Sequence, residues 1–307
     1  MRIYNSFEDA VGIKNPVVTT GSFDGVHIGH KTILGRLKML SEKYSGESVL
    51  VTFDPHPRKV LYPDTVGKNL KFITSQEEKL ELLRKAGLDN VIIVKFTREF
   101  SKITSEQFVK DYLHGILKAK VIVVGFNHHF GFNQEGDYRQ LWNLREKYSF
   151  DAEEIPEQEV QHETVSSSRI REAIKAGYIM RANAYLDHYY IVMGKPEIYD
   201  YRNTELEVSL YKMPLNEENK LLPAPGIYAV SFESGNHKAK GMSVINRITG
   251  DECEVLLSLF DIDQKIVGHR STVFFHKRIH GSVDLNDFPL SARRIKKAMD
   301  EIEELIY

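Results

Sequence analysis

The 307-residue chain is poor in several things, and each shortage closes a class of protein. It has one cysteine, Cys253. An internal disulfide needs two and a Cys-rich zinc site more, so Cys253 is expected to be a small core filler. Apolar runs such as Val91–Val94 and Val121–Val124 are far shorter than the roughly 20 residues that cross a bilayer. Charge of one sign is also lacking: 41 basic against 43 acidic residues leave a net charge of −2. The overall basic excess that usually marks a nucleic-acid or anionic-membrane binder is missing, so an anion site must be local. Glu8 and Asp9 stand where a secretory signal would be apolar, and the expected location is cytoplasmic. Internal repeats and low-complexity tracts are absent.

What is present is an ordinary globular composition, with length enough for two domains that bury their own cores. In the first half, Val17–Thr20, Val49–Phe53, Val91–Val94 and Val121–Val124 read as buried strands, since continuous β-branched runs suit a sheet covered on both faces. Between them, Ser75–Ala86 and Thr104–Leu117 carry apolar residues at helical spacing. This alternation predicts a parallel α/β sheet, with ligands at the carboxyl ends of its strands. After about Asp187 the texture changes to short runs between turn residues: Tyr189–Met193, Glu205–Tyr211, Gly226–Phe232, Lys240–Asn246, Glu254–Phe260 and Ser271–Phe275. These predict an antiparallel barrel or sandwich. A last helix with Ile295, Met299, Ile302 and Ile306 on one stripe is expected to pack on it.

The strongest local signal is Thr20-Gly21-Ser22-Phe23-Asp24-Gly25-Val26-His27-Ile28-Gly29-His30, after the first strong strand and before a helix. Gly21 and Gly25 let the backbone turn tightly toward a ligand, and the following helix turns free N–H groups to it, which suits a phosphate. His27 and His30, three residues apart, would face one spot and could stabilise charge in an in-line displacement. An isolated H-x-x-H is more often plain surface or core, and zinc is a weaker reading with only two local ligands. Thr52-Phe53-Asp54-Pro55-His56-Pro57 ends the second strong strand, placing Asp54 and His56 where a ligand would lie. Gly125-Phe126-Asn127-His128-His129-Phe130-Gly131-Phe132 follows the fourth strand. Asn127 offers polar contacts there, and Phe130 and Phe132 an aromatic surface for a flat ring. Val165-Ser166-Ser167-Ser168-Arg169-Ile170-Arg171 opens another helix. A serine there is first a cap, but Ser167, Ser168 and Arg171 could also hold phosphates.

The string G-x-F-D-G-x-H-x-G-H resembles the signature of the HxGH nucleotidyltransferases, specifically the FAD synthetase module of prokaryotic bifunctional riboflavin kinase/FMN adenylyltransferases. The other three segments are similar to the family's T-F-x-P-H-P, G-x-[DN]-F-x-F-G and I-S-S-T-x-I-R motifs, with His128 where Phe is usual. The resemblance implies an N-terminal Rossmann-like HxGH nucleotidyltransferase domain over residues 1–186. It implies a C-terminal antiparallel β-barrel of riboflavin-kinase type with a terminal helix over 187–307. It further implies FMN + ATP → FAD + pyrophosphate with Mg²⁺. ATP would meet Gly21, Phe23, Asp24, Gly25, His27, His30, Ser167, Ser168 and Arg171, with His27, His30 and Arg171 catalytic. FMN would meet Asp54, His56, Asn127 and Phe130. The partners expected are small molecules, neither nucleic acid nor membrane, and an oligomer could form through the C-terminal domain.

In that domain, Pro225–Val230 resembles the kinase G-x-Y-x-V strand, and Glu254–Asp261 with Gly268 resembles E-x-H-L-x-D-F…G. The chemistry-bearing motifs are missing. Gly194-Lys195-Pro196-Glu197-Ile198-Tyr199-Asp200-Tyr201-Arg202-Asn203-Thr204-Glu205 replaces the glycine loop and P-T-A-N, and His280-Gly281-Ser282 replaces R-x-E. The favoured expectation is a domain without kinase activity. The alternatives are a bifunctional enzyme in which Glu205 or Asp284 substitutes as base, a non-enzymatic flavin-binding regulator, and a sister nucleotidyltransferase with another substrate.

Overall fold

The computed structural model describes residues 1–160, 163–199, 210–250, 252–260, 266–283 and 288–305. Two compact units emerge: Met1–Leu70 with Lys79–Val165, and Lys71–Glu78 with Ser166–Tyr307.

The first unit is a six-stranded sheet. Its strands are β1 (Arg2–Tyr4), β2 (Val17–Thr20), β3 (Ser48–Asp54), β4 (Asn90–Lys95), β5 (Val121–Gly125) and β6 (Asp151–Ile155). They run parallel in the order β1-β4-β3-β2-β5-β6. The helices α1 (Ile28–Lys43), α2 (Pro57–Leu61), α3 (Gln76–Lys85), α4 (Ser105–Gln107, continued as a π-helical stretch Phe108–Ile116) and α5 (Tyr138–Tyr148) connect them. Period-two alternation divides the strand side chains between two cores. Val18, Val49, Val51, Ile122 and Val124 pack with Phe108, Val109 and Leu113 on one face. On the other, Val17, Leu50, Val91, Val121 and Val123 pack with Leu34, Leu37 and Leu40 of α1 and Leu83 of α3. Covering both faces is why these strands read as unbroken apolar runs. A two-stranded ladder, β7 (Glu159–Val160) with β8 (Glu163–Thr164), follows β6.

The second unit contains α6 (Ser167–Lys175), α7 (Ile179–Leu186) and a seven-stranded antiparallel sheet. The strands are β9 (Tyr190–Gly194), β10 (Glu197–Tyr199), β11 (Leu210–Met213), β12 (Gly226–Ser234), β13 (His237–Thr249), β14 (Glu252–Leu259) and β15 (Ser271–His280), in the order β10-β11-β14-β13-β12-β15-β9. Register shifts between β12 and β15 bend the sheet toward a half-barrel. Helix α8 (Phe288–Glu303) sets Ile295, Ala298 and Ile302 on Ile227, Ala229, Met242, Val244 and Leu256. The expected classes, parallel α/β and then antiparallel β with a terminal helix, are those found. Part of the expected strand Glu205–Tyr211 lies outside the described residues, as does Ile306. Cys253 departs from expectation: it is half-buried near the start of β14 rather than a core filler.

Candidate active site

In the parallel sheet, chain order runs outward from β2 to β3 and β4 on one side, and to β5 and β6 on the other. At such a reversal the loops leaving two adjacent strands part and open a crevice at their carboxyl ends. The loop after β2 is the glycine- and histidine-bearing segment; the loop after β5 begins Phe126-Asn127-His128. Between them is a cavity of about 300 Å³, lined among others by Thr20, Gly21, Phe23, His27, His30, Phe126, Asn127, His128 and Glu157.

The β2 loop is tightly coiled, with Phe23 (φ 50°), Gly25 (φ 83°) and Val26 (φ 42°) all left-handed. Only the glycine adopts this without strain; the other two cost about 1–3 kcal/mol each and persist because surrounding packing enforces them. Phe23 and Val26 are indeed buried, at 2% and 1% exposure. His27 then precedes α1 as its N-cap residue. One helical turn brings His30 onto it, with ring centroids 3.7 Å apart and an interplanar angle of 19°. Phe23 also stacks on His30 at 4.3 Å. At Gly29 an added Cβ would come within 3.2 Å of the His27 ring, so glycine leaves that imidazole its room.

His30 Nδ1 is buried with no hydrogen-bond partner among the described residues. Burial, then His27, then Lys79 hold the His30 pKa well below the usual imidazole value. A neutral imidazole keeps one donor and one acceptor, and an unsatisfied buried nitrogen in a crevice suits an incoming polar ligand. His128 bonds Thr20 Oγ1 through Nε2 at 3.0 Å, and burial followed by His129 pushes its pKa down to about 4.

Of the residues singled out in the sequence, Gly21, Phe23, His27, His30 and Asn127 meet at this cavity. Asp24, 4% exposed, and Gly25 complete the same loop. Asp54 and His56 lie at the carboxyl end of β3 but do not line it: Asp54 is exposed, and His56 caps α2 by accepting from the Arg58 N–H at 3.1 Å. Phe130 turns toward the core, 6.2 Å from the Phe108 ring. Ser167, Ser168 and Arg171 belong to the second unit. There Ser166 caps α6, and Arg171 Nε donates to the Lys71 carbonyl at 3.0 Å. Sequence reasoning missed Phe126, Glu157 and Lys79. Phe126 sat inside a flagged loop, whereas Glu157 follows Asp151–Ile155, an acidic strand without an apolar run.

No group of three or more His, Cys, Asp or Glu side chains among the described residues could hold a metal ion. Mg²⁺ needs no such cluster, since nucleotide sites usually hold it through one or two carboxylates together with phosphates and waters.

Fold and cavity together define a doubly wound α/β module with a ligand-sized crevice at its switch point, and a second unit built on an antiparallel half-barrel. The FAD synthetase family matches residues 12–169 and the riboflavin kinase family residues 186–306. The chain therefore belongs to the FAD synthetase family, with a riboflavin-kinase-type second part. Among its relatives are proteins named bifunctional riboflavin kinase/FMN adenylyltransferase. That of Listeria monocytogenes is 29% identical, covering 89% of this chain and 86% of its own. The Bacillus subtilis protein is 28% identical over 93% and 90%, and the Escherichia coli K12 protein 27% identical over 86% and 84%. A crystal structure described as a macrolide-efflux protein from Streptococcus pneumoniae superposes with a TM-score of 0.86 over 99% of both chains. At 23% identity it shows the shared fold.

Proposed function

We propose that the chain transfers AMP from ATP to FMN, giving FAD and pyrophosphate. An FMN phosphate oxygen attacks the α-phosphorus of ATP, a new P–O bond forms, and the bond to the β-phosphate oxygen breaks. The attacking group is already anionic, so no protein nucleophile is required, and alignment with charge stabilisation can supply the catalysis. The observation that carries this reading is the stacked, buried histidine pair at the β2/β5 crevice, with His30 kept neutral. His27 and His30 donate to the oxygens around the α-phosphorus. The β2 loop from Gly21 to Gly25 receives the nucleotide. Asn127 positions FMN at the cavity, with Asp54 and His56 at the neighbouring carboxyl end of β3. Mg²⁺, arriving with ATP, would supply charge neutralisation for the phosphates. The adenylyltransferase function is assigned to residues 1–186.

The second part, residues 187–307, is proposed to lack riboflavin kinase activity. Residues 200–205 of the stretch that replaces the glycine loop and P-T-A-N, and with them the alternative base Glu205, lie outside the described residues, as does the other alternative base, Asp284. Two described positions support this reading: Ser282 stands exposed where the kinase glutamate is expected, and Glu254 is engaged with Lys212 at 3.0 Å and Asn246 at 2.9 Å. A bifunctional enzyme is the second reading, favoured by the names of the relatives. Chromatography of ATP/Mg²⁺ incubations separates them: FAD from FMN, with riboflavin unchanged, is expected. FMN formed from riboflavin restores the kinase, and no FAD from FMN overturns the transferase reading.

A further inference from the structure

We propose that Lys79 is a positioning residue for adenylyl transfer, its buried ammonium bracing the β2 loop against the end of β3. The inference rests on the FAD-forming reading above. Lys79 sits on α3 at 7% exposure, and a lysine is almost never buried without groups to bind its charge. Its Nζ lies 3.3 Å from Thr52 Oγ1 and 3.4 Å from the Ser22 carbonyl oxygen, and the Thr52 hydroxyl is 3.4 Å from that same oxygen. Three elements, α3, β3 and the β2 loop, thus converge one residue before Phe23. These separations are at the long end for hydrogen bonds, as is common before substrate tightens a site.

A cation at this point acts in two ways without touching substrate. It fixes the direction of the Ser22 carbonyl, and with it the path of the strained loop that delivers Phe23 and His27. It also places positive potential behind the histidines, which favours a neutral His30 and an incoming triphosphate. Among the described residues, the titratable groups facing His30 include His27 on its own segment and Lys79 from α3, with His128 from the β5 loop and Glu157 beyond β6 lining the same cavity.

The test compares Lys79→Met and Lys79→Arg in the full chain by steady-state FAD formation, with melting temperature as a folding control. Lys79→Met is expected to lower kcat about tenfold or more while KM for FMN changes less than about twofold. Its acid limb of kcat/KM moves to higher pH, because removing a nearby cation raises the His30 pKa. Lys79→Arg recovers most of kcat and keeps the wild-type acid limb. Should Lys79→Met not fold, Lys79→Gln is judged by the same criteria. If wild type forms FAD and a folded neutral variant matches its kcat and acid limb, the role of Lys79 is overturned and the functional reading stands. Equal loss in the Arg and Met variants with an unmoved acid limb also overturns it, by reducing Lys79 to packing. A wild-type chain that forms no FAD removes the functional reading itself.

Discussion

His30 is set up to donate a hydrogen bond rather than carry a charge. Burial, His27 and Lys79 all oppose its protonation, and its stacking between helix and loop leaves the ring little freedom. Removing one preorganised transition-state donor typically costs about 10²–10³-fold in kcat. His30→Ala is therefore expected to lower kcat for FAD formation by about 10²-fold; unchanged turnover in a folded variant would remove His30 from the mechanism. His128 gives a different prediction, of stability. Its folded pKa of about 4 lies below the unfolded value of about 6.5, so between these limits the unfolded chain binds more protons. Its contribution is fully present above about pH 6.5 and is lost as pH falls toward 4. Allowing for partial exposure, the loss is on the order of 2 kcal/mol. His128→Phe should lose stability less steeply than wild type in urea denaturation between pH 7 and 4.5, and parallel curves would contradict this. The His27/His30 pairing was legible because a three-residue separation at a helix start dictates a shared face. The Thr20–His128 bond joins residues 108 apart, which no local pattern encodes.

At the scale of elements, segment 71–78 is held in the second unit by buried polar contacts. Lys220 Nζ meets Glu78 Oε2 at 2.5 Å, the Ile73 carbonyl at 2.6 Å and the Ile191 carbonyl at 2.9 Å. Glu78 also accepts from the N–H groups of Ser75 and Met193. Both side chains are 2% exposed. Breaking such a pair by removing one partner costs about 3–5 kcal/mol, since the other charge stays buried. Lys220→Met should lose that much in chemical denaturation, and Lys220→Met with Glu78→Leu should lose less than the single variant. A double variant no better than the single would place the energy in packing. The β-branched runs that became β2 to β5 were legible because both faces of the parallel sheet are covered. β6 was not, since Asp151 and Glu154 face solvent on this edge strand; nor was the π-helical stretch Phe108–Ile116, whose apolar spacing reads as an ordinary helix. Most of the antiparallel strands were legible through their turn residues, but β10 (Glu197–Tyr199) was not, and the sheet order comes from long-range pairing.

For the whole molecule, the compact units and the proposed functional boundary at residue 186 divide the chain differently, and this has a measurable consequence. Segment 71–78 precedes that boundary, yet it packs in the second unit: the Phe72 N–H donates to the Asn219 carbonyl and the Leu221 N–H donates to the Phe72 carbonyl, each at 2.7 Å, and Lys71 Nζ donates to the Glu218 carbonyl at 2.6 Å. Ile73, Ile170, Ile174, Tyr185 and Leu186 are all buried in the same unit, at 3% exposure or less. A fragment ending at Leu186 keeps all five residues while losing β9 to β15 and Lys220, and so leaves Glu78 without its ion-pair partner. At about 1.5–3 kcal/mol for each large apolar side chain returned to water, partial exposure of this group together with the orphaned carboxylate costs on the order of 5 kcal/mol or more. That is comparable with the total stability of many domains. The fragment is therefore expected to melt well below the full chain and to bind a hydrophobic dye, even though it retains every residue assigned to ATP. A fragment with a cooperative transition at the full-chain temperature would show that residues 71–78 and 166–186 do not depend on the second unit for their stability. Loss of FAD synthesis on truncation is then a folding effect: the second unit stabilises chain belonging to the proposed transferase, whether or not it phosphorylates riboflavin.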